Sequence, residues 1–482
     1  MSKSFKKDLI EGVFYTGIGK YSSIFISLIV TAILARLLTP DDFGVVAIAT
    51  IVITFFNMIS EIGIAPAIIQ YKNLTVKDTN NIFSLTVYIA IISTSVFIIG
   101  VPYIAHIYAN DALTDILQYL SISLFFAILN IVPNALFYKE KKFKLISIRT
   151  FFIQLSVGII SIIAALSGFG IYSLLIAPIL SNFILFIVGV YFYPQKFTYK
   201  IEKEAINKIF SFSMYQFLFN IINYFTRNLD KLLIGKYIGM TALGFYEKSY
   251  RLMMLPLSNI SSVLNPVLHP ILSDFQFDKT EMEEKYTKII QLLSYIGVFL
   301  TIIMFFGSKE IILIIFGEQW LEAVDVFQIL SLSIVIQLLM SPCGAVFQAT
   351  NSTKQMFTFA VISILTTILG FIISIICWKS AIAVAYSFDI TLFINFIIGY
   401  NILYRKVLVK RYQLFLNKLK KYFILFSVLF ILFFLLKQII VIENIFLSLI
   451  FIVTFTFIIE LTYIHLLKIY NVRSLVRKYL HF

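Results

Sequence analysis

Charge is scarce in this sequence. Asp, Glu, Lys and Arg together supply 13% of its 482 residues, about half of what a soluble domain carries. That shortage excludes a soluble protein of this length. Cysteine is nearly missing too: Cys343 and Cys377 both fall in apolar segments, so neither a disulfide framework nor a thiolate metal clip is available. The four histidines, His106, His269, His465 and His481, show no ligand spacing; no metal or cofactor is expected. The strand alternation that builds outer-membrane barrels is missing as well.

What the chain has instead is apolar sequence: 60% hydrophobic and 16% aromatic residues, with a mean hydropathy of +0.93. Runs of about twenty apolar residues recur from end to end, each able to cross a ~30 Å hydrocarbon core as a helix. The fold class is therefore an all-α polytopic membrane protein of about 14 spans. They are placed near 13–36, 44–69, 82–107, 114–137, 145–167, 170–193, 211–237, 244–272, 286–306, 322–348, 355–378, 380–403, 421–439 and 443–467. "MSKSFKKDLI" is basic, but no small-residue cleavage site follows the first apolar stretch, which reads as a retained helix.

Basic residues alternate between the connections. Lys3, Lys6 and Lys7, then Lys139 to Arg149, the segment 194–208 and the segment 405–421 fall on one side, whereas the other holds only Arg36, Lys236, Lys309, Lys379 and Lys437. Such asymmetry predicts both termini in the cytoplasm. It also accounts for the net charge of +14 without nucleic acid as a partner, since those cations face an anionic leaflet.

Two echoes predict an internal repeat. "DILQYLSIS" (115–123) returns as "DVFQILSLS" (325–333), and "ARLLTPDDFG" (35–44) returns more weakly as "GKYIGMTALG" (235–244). They divide the chain into a six-helix lobe over 1–200, a second over 201–412, and an added helix pair with a basic tail over 413–482. Two parallel lobes leave a central cavity between them. The join "PQKFTYKIEKEAINKIF" (194–210) reads either as an amphipathic helix on the inner face or as a solvated connector.

Charges inside the spans are costly, and this chain keeps several. Span 7 carries Arg227, Asp230 and Lys231 on one face; span 8 carries Glu247, Lys248 and Arg251; Lys20, Glu61 and Asp389 lie in spans 1, 2 and 12. Intrahelical pairing of Arg227 with Asp230 and of Glu247 with Arg251 accounts for either pair alone. It leaves unexplained the five cations against four acids and their clustering on spans 1, 7 and 8. Arg227, Arg251, Lys231, Lys20 and Lys248 are therefore the candidate ligands for an anionic, phosphate-bearing group, because arginine forks onto phosphate bidentately. Glu61, Asp230, Glu247 and Asp389 are the candidate cavity carboxylates or ion carriers, and structural partnering is the competing role. "TGIGKY" (16–21) lacks the Walker spacing and reads as close helix packing. Prolines in "LNPVLHPIL" (264–272) and "LMSPCGAVF" (339–347) predict kinks.

The segments "LARLLTPDDFGVVAIATIV" (34–52), "EIGIAPAIIQ" (61–70), "NLDKLLIGKYIGMTALGFYEKSYRL" (228–252) and "IFGEQWLEAVDVFQILSLS" (315–333) resemble the Wzx-type polysaccharide-exporter flippases. Those belong to the superfamily of multidrug and oligosaccharidyl-lipid exporters. The resemblance covers nearly the whole chain. It implies two six-helix lobes plus two helices, a bacterial cytoplasmic membrane location, and alternating access. The implied substrate is an undecaprenyl-pyrophosphate-linked oligosaccharide, with membrane lipids and glycan polymerase machinery as partners. By that analogy Arg251 matches in position, and Arg227, Lys231 and Lys20 more loosely. An exporter of small molecules or drugs is the alternative; a membrane glycan polymerase or ligase is further off, since it needs sizeable outer loops.

Overall fold

The computed structural model describes residues 3–61, 63–71, 73–199, 224–225 and 227–466, and every regular element among them is helical. Contacts divide the chain into two compact units, Met1–Gly244 and Phe245–Phe482. The first holds α1 (Lys3–Leu37), α2 (Pro40–Glu61), α3 (Ile64–Gln70), α4 (Val76–Tyr108), α5 (Ala112–Leu129), α6 (Ile131–Lys139), α7 (Phe143–Leu166) and α8 (Ser173–Phe192). It also holds α9, helical over 227–237. The division falls within α10 (Met240–Ser273), most of which belongs to the second unit. There follow α11 (Lys279–Phe306), α12 (Ser308–Ile315), α13 (Ala323–Ser331), α14 (Ser333–Met340), α15 (Cys343–Ala349), α16 (Thr353–Trp378), α17 (Ala381–Ile402), α18 (Tyr412–Ile439) and α19 (Ile445–Leu466).

Among the described residues eleven helices are long and apolar enough to cross a membrane. A twelfth span results if α13 and α14–α15, bent by 42°, count as one. The predicted seventh span, 211–237, lies largely outside the described residues, and α10 occupies the predicted eighth. Their outward faces match a lipid solvent: Ile99, Phe423, Ile376 and Trp378 are all more than 60% exposed.

Three predicted spans are interrupted. Span 2 breaks into α2 and α3 at Gly63, whose φ of 69° is left-handed and suits a residue without Cβ. Span 4 breaks at Asn130 into α5 and α6. In span 10 the Ser331 and Ser333 hydroxyls donate to the carbonyls of Gln328 and Leu330, which competes with the helical ladder and bends helices. A second break there falls at Pro342, as the sequence predicts, whereas α10 stays helical through Pro266 and Pro270.

Two connections carry structure of their own. The described part of the join, 194–199, is not helical: Lys196 and Thr198 donate their backbone N–H groups to Asn80 and Ser84 of α4, at 2.9 and 2.8 Å. The rest of the join is outside the described residues. The basic stretch 405–421 is mostly helix, a π-helical turn over Leu403–Val407 followed by α18, which begins nine residues before the predicted span.

The "TGIGKY" stretch packs as expected. A Cβ on Gly19 would lie 2.7 Å from Ser147 Oγ on α7, and that hydroxyl donates to the Tyr15 carbonyl at 2.7 Å. In the second unit a buried core joins Tyr286, Tyr400, Tyr404 and Phe415, with Tyr400 and Phe415 stacked at 4.1 Å.

Candidate functional site

The turn "RLLTPDDFG" is built residue by residue. Thr39 caps α2: its backbone N–H and hydroxyl donate to Asp42 Oδ2 at 2.9 and 2.8 Å, and Asp42 N–H donates back to Thr39 Oγ1 at 3.2 Å. That is a capping box, and Pro40 occupies the first helical position, where no N–H is required. Gly44 then lets another backbone come close. A Cβ there would sit 1.8 Å from the Met240 carbonyl oxygen, and a Cβ on Gly244 would sit 2.0 Å from that of Pro40. Thr241 Oγ1 donates to Asp41 Oδ1 at 2.9 Å. Positions 40, 41 and 44 thus meet 240, 241 and 244 reciprocally, as a local two-fold relation between the two echoed segments requires.

The other echo is structural as well. Ser121 donates to the Gln118 carbonyl at 2.6 Å, and Ser331 donates to that of Gln328 at 2.6 Å. The same residues at an offset of 210 make the same bond.

That anchor fixes α9 in the first unit. Tyr224 donates to the Ile51 carbonyl on α2, Lys236 donates to that of Ile107 on α4, and Tyr108 donates to that of Leu232 at 3.4 Å. Asp230 and Lys231 are buried, at 2% and 9% exposure, while Arg227 is exposed one turn earlier. Lys20 on α1 and Glu61 at the end of α2 are exposed.

In the second unit the "LGFYEKSYRL" stretch packs on the "IFGEQW" turn. Gly317 has a φ of 96°; the turn it permits buries Trp320 completely against Phe245 and Phe316, with centroids 5.8 and 5.5 Å away. Lys248 is buried with its ammonium 6.0 Å from the Phe316 ring centroid, and Glu247 and Arg251 lie close enough to act on its charge. Arg251 is exposed one turn further. Tyr250 meets Phe388 edge-on at 5.9 Å. The next residue, Asp389, has both carboxylate oxygens shielded and without a hydrogen-bond partner among the described residues.

Each unit therefore holds a buried lysine with an exposed arginine about one turn away on the same helix, before it in the first unit and after it in the second. Lys20, Glu61, Arg227, Asp230 and Lys231 belong to the first unit, and Glu247, Lys248, Arg251 and Asp389 to the second. Sequence reading passed over Arg149, counting it among the basic flank of α7. It lies inside the span, and its position four residues past the predicted span start was the available signal.

A family model described as "Polysaccharide biosynthesis protein" matches residues 33–325. An uncharacterised membrane protein in the cps region of Klebsiella pneumoniae is 27% identical over 84% of this chain and 84% of its own. The lipopolysaccharide biosynthesis protein WzxC of Escherichia coli is 22% identical over 85% of this chain and 84% of its own. Among solved structures, the lipid II flippase MurJ in an inward closed conformation superposes with a TM-score of 0.74. It covers 96% of this chain and 100% of that one at 15% identity.

Proposed function

Since the chain belongs to the polysaccharide biosynthesis protein family, we propose that it is a flippase moving a lipid-linked oligosaccharide from the inner to the outer leaflet. The observation that carries this reading is the pair of buried lysines, Lys231 and Lys248, each followed or preceded within a turn by an exposed arginine. A membrane fold needs no such groups, and intramembrane cations mark substrate paths. An undecaprenyl pyrophosphate supplies the matching anion; its isoprenoid tail stays in lipid while phosphates and sugars cross.

Arg227 and Arg251 contact the pyrophosphate, with Lys20, Lys231 and Lys248 setting a positive field around it. The six-helix lobes, 1–200 and 201–412, rock about the bound head so that it opens to one leaflet and then the other, with the additional helix pair and its basic tail assigned to 413–482. Both termini are cytoplasmic. Release of the head outside requires a bias, and Asp389 is the carboxyl best placed to carry a proton, having no hydrogen-bond partner among the described residues. The likeness of fold to a lipid II flippase is consistent with this cycle.

The test is a leaflet assay in reconstituted vesicles. Fluorescent undecaprenyl-pyrophosphate oligosaccharide is expected to cross, and a cationic dye is not. Movement of the dye alone would make the protein a drug exporter instead.

A further inference from the structure

Arg149 lies six residues into α7, ~9 Å along the helix from Phe143. Its guanidinium rests over the Phe137 ring, 4.4 Å from the centroid, and Nη2 donates to Asn134 Oδ1 at 2.6 Å. Nε and Nη1 are shielded from solvent and have no hydrogen-bond partner among the described residues. None of the ion pairs there includes it. A cation left with open donors inside a span is costly, and an anion is the partner that fits them.

Beside it runs a groove of about 400 Å³ between α7 and α8, floored by Phe137 and lined by apolar side chains except for Arg149 and Ser156. Along α7 it extends from Leu145 to Ser156, ~16 Å of helix. Its rim, Ile148, Phe152 and Phe192, is exposed. Lys141, Lys142 and Lys144 mark the same end of the span.

We propose that this groove holds one anionic phospholipid, its phosphodiester on the Arg149 fork and an acyl chain along Phe152, Ile184 and Val188. One guanidinium matches a monoanion, and basic pockets between transmembrane helices hold anionic head groups. A glycan needs several convergent polar groups, and only Ser156 and Arg149 are polar here. Seating the phosphodiester requires a torsional change in the arginine stem that turns Nε and Nη1, shielded here, to the groove wall. The site is separate from the cations assigned to transport and stands without them.

Native mass spectrometry of the purified full chain tests this, with phosphatidylglycerol, phosphatidylcholine of the same acyl chains, and undecaprenyl pyrophosphate as probes. Phosphatidylglycerol is expected to be held about tenfold more tightly than phosphatidylcholine, the scale of one charge-assisted fork. Arg149→Gln is expected to abolish that preference. Val188→Trp keeps the guanidinium, fills the groove and is expected to release both phospholipids, which covers the case in which Arg149→Gln does not fold. An unchanged preference in both variants overturns the site, as does tighter binding of undecaprenyl pyrophosphate than of phosphatidylglycerol. Transport by Arg227→Ala is read separately, so failure of one proposal leaves the other standing.

Discussion

Arg227 and Arg251 stay exposed on helices whose neighbouring lysines are buried, and a guanidinium offers a planar fork that an ammonium lacks. Truncating either removes charge-assisted bonds of about 2–3 kcal/mol. Arg227→Ala and Arg251→Ala are expected to slow flipping roughly 30- to 150-fold in the leaflet assay with insertion unchanged, and the lysine variants less; wild-type rates in both alanine variants would refute the anion site. Asp389 poses the opposite problem, since neither carboxylate oxygen meets a donor among the described residues. Asp389→Asn is expected to leave thermal stability unchanged but to remove any dependence of flipping on an imposed proton gradient. A gradient response that survives the substitution would assign the bias elsewhere.

Helix ends and helix contacts carry their own predictions. The Cβ positions at Gly44 and Gly244 fall on backbone oxygens, which cannot rotate away as a side chain can. Gly44→Ala and Gly244→Ala are expected to destabilise by about 3 kcal/mol or more, read as melting in detergent. Gly17→Ala and Gly344→Ala, where nothing lies within 4 Å, serve as neutral controls. The α18 helix is pinned at two levels. Lys418 donates to Glu283 Oε1 at 2.7 Å, where Thr287 and Tyr404 also donate, and Lys437 lies 3.6 Å from Glu310, which accepts from Ser448. The two lysines are ~28 Å apart along the helix, about one hydrocarbon thickness. Glu283→Ala strands three donors at once, and a loss of about 2–3 kcal/mol is expected, with partly exposed Lys418 contributing the least.

At the corner between α6 and α7, Glu140 is held below the usual carboxylate range by the Tyr193 hydroxyl and by Lys142, and Lys142 is raised by the same contacts. The carboxylate's share of stability is therefore complete above its unfolded range and fades as pH falls through the lowered value. The lysine's share fades only as pH rises past its raised value. Both groups are well exposed, so the corner contributes at most about 1 kcal/mol. Glu140→Gln is expected to remove that acid-side slope from the melting curve.

For the molecule as a whole, the orientation proposed above is tested by impermeant thiol labelling of intact cells, with Cys377→Ser removing the exposed native thiol. Lys142→Cys is expected to be protected and Asp111→Cys to be labelled; the reverse pattern inverts the topology. The family match, over 33–325, contains the 35–44 and 235–244 pair, ends where the 325–333 echo begins, and takes in all the candidate residues except Lys20 and Asp389.

Hydropathy alone determined that the chain is helical and spans a membrane repeatedly, because a bilayer admits only elements that satisfy their own backbone. The echoes at offsets of 200 and 210 were legible too, since capping, close approach and serine back-bonding each demand a particular residue type. Tertiary structure decided what composition cannot encode. It broke spans at Gly63, Asn130 and Ser331–Ser333, where one residue's dihedral or hydroxyl outweighs a window of hydropathy. It also separated buried Lys231 and Lys248 from exposed Arg227 and Arg251, and moved Arg149 from topology signal to groove wall. Which side of a helix a charge occupies depends on what packs against it, and that partner lies far away in sequence.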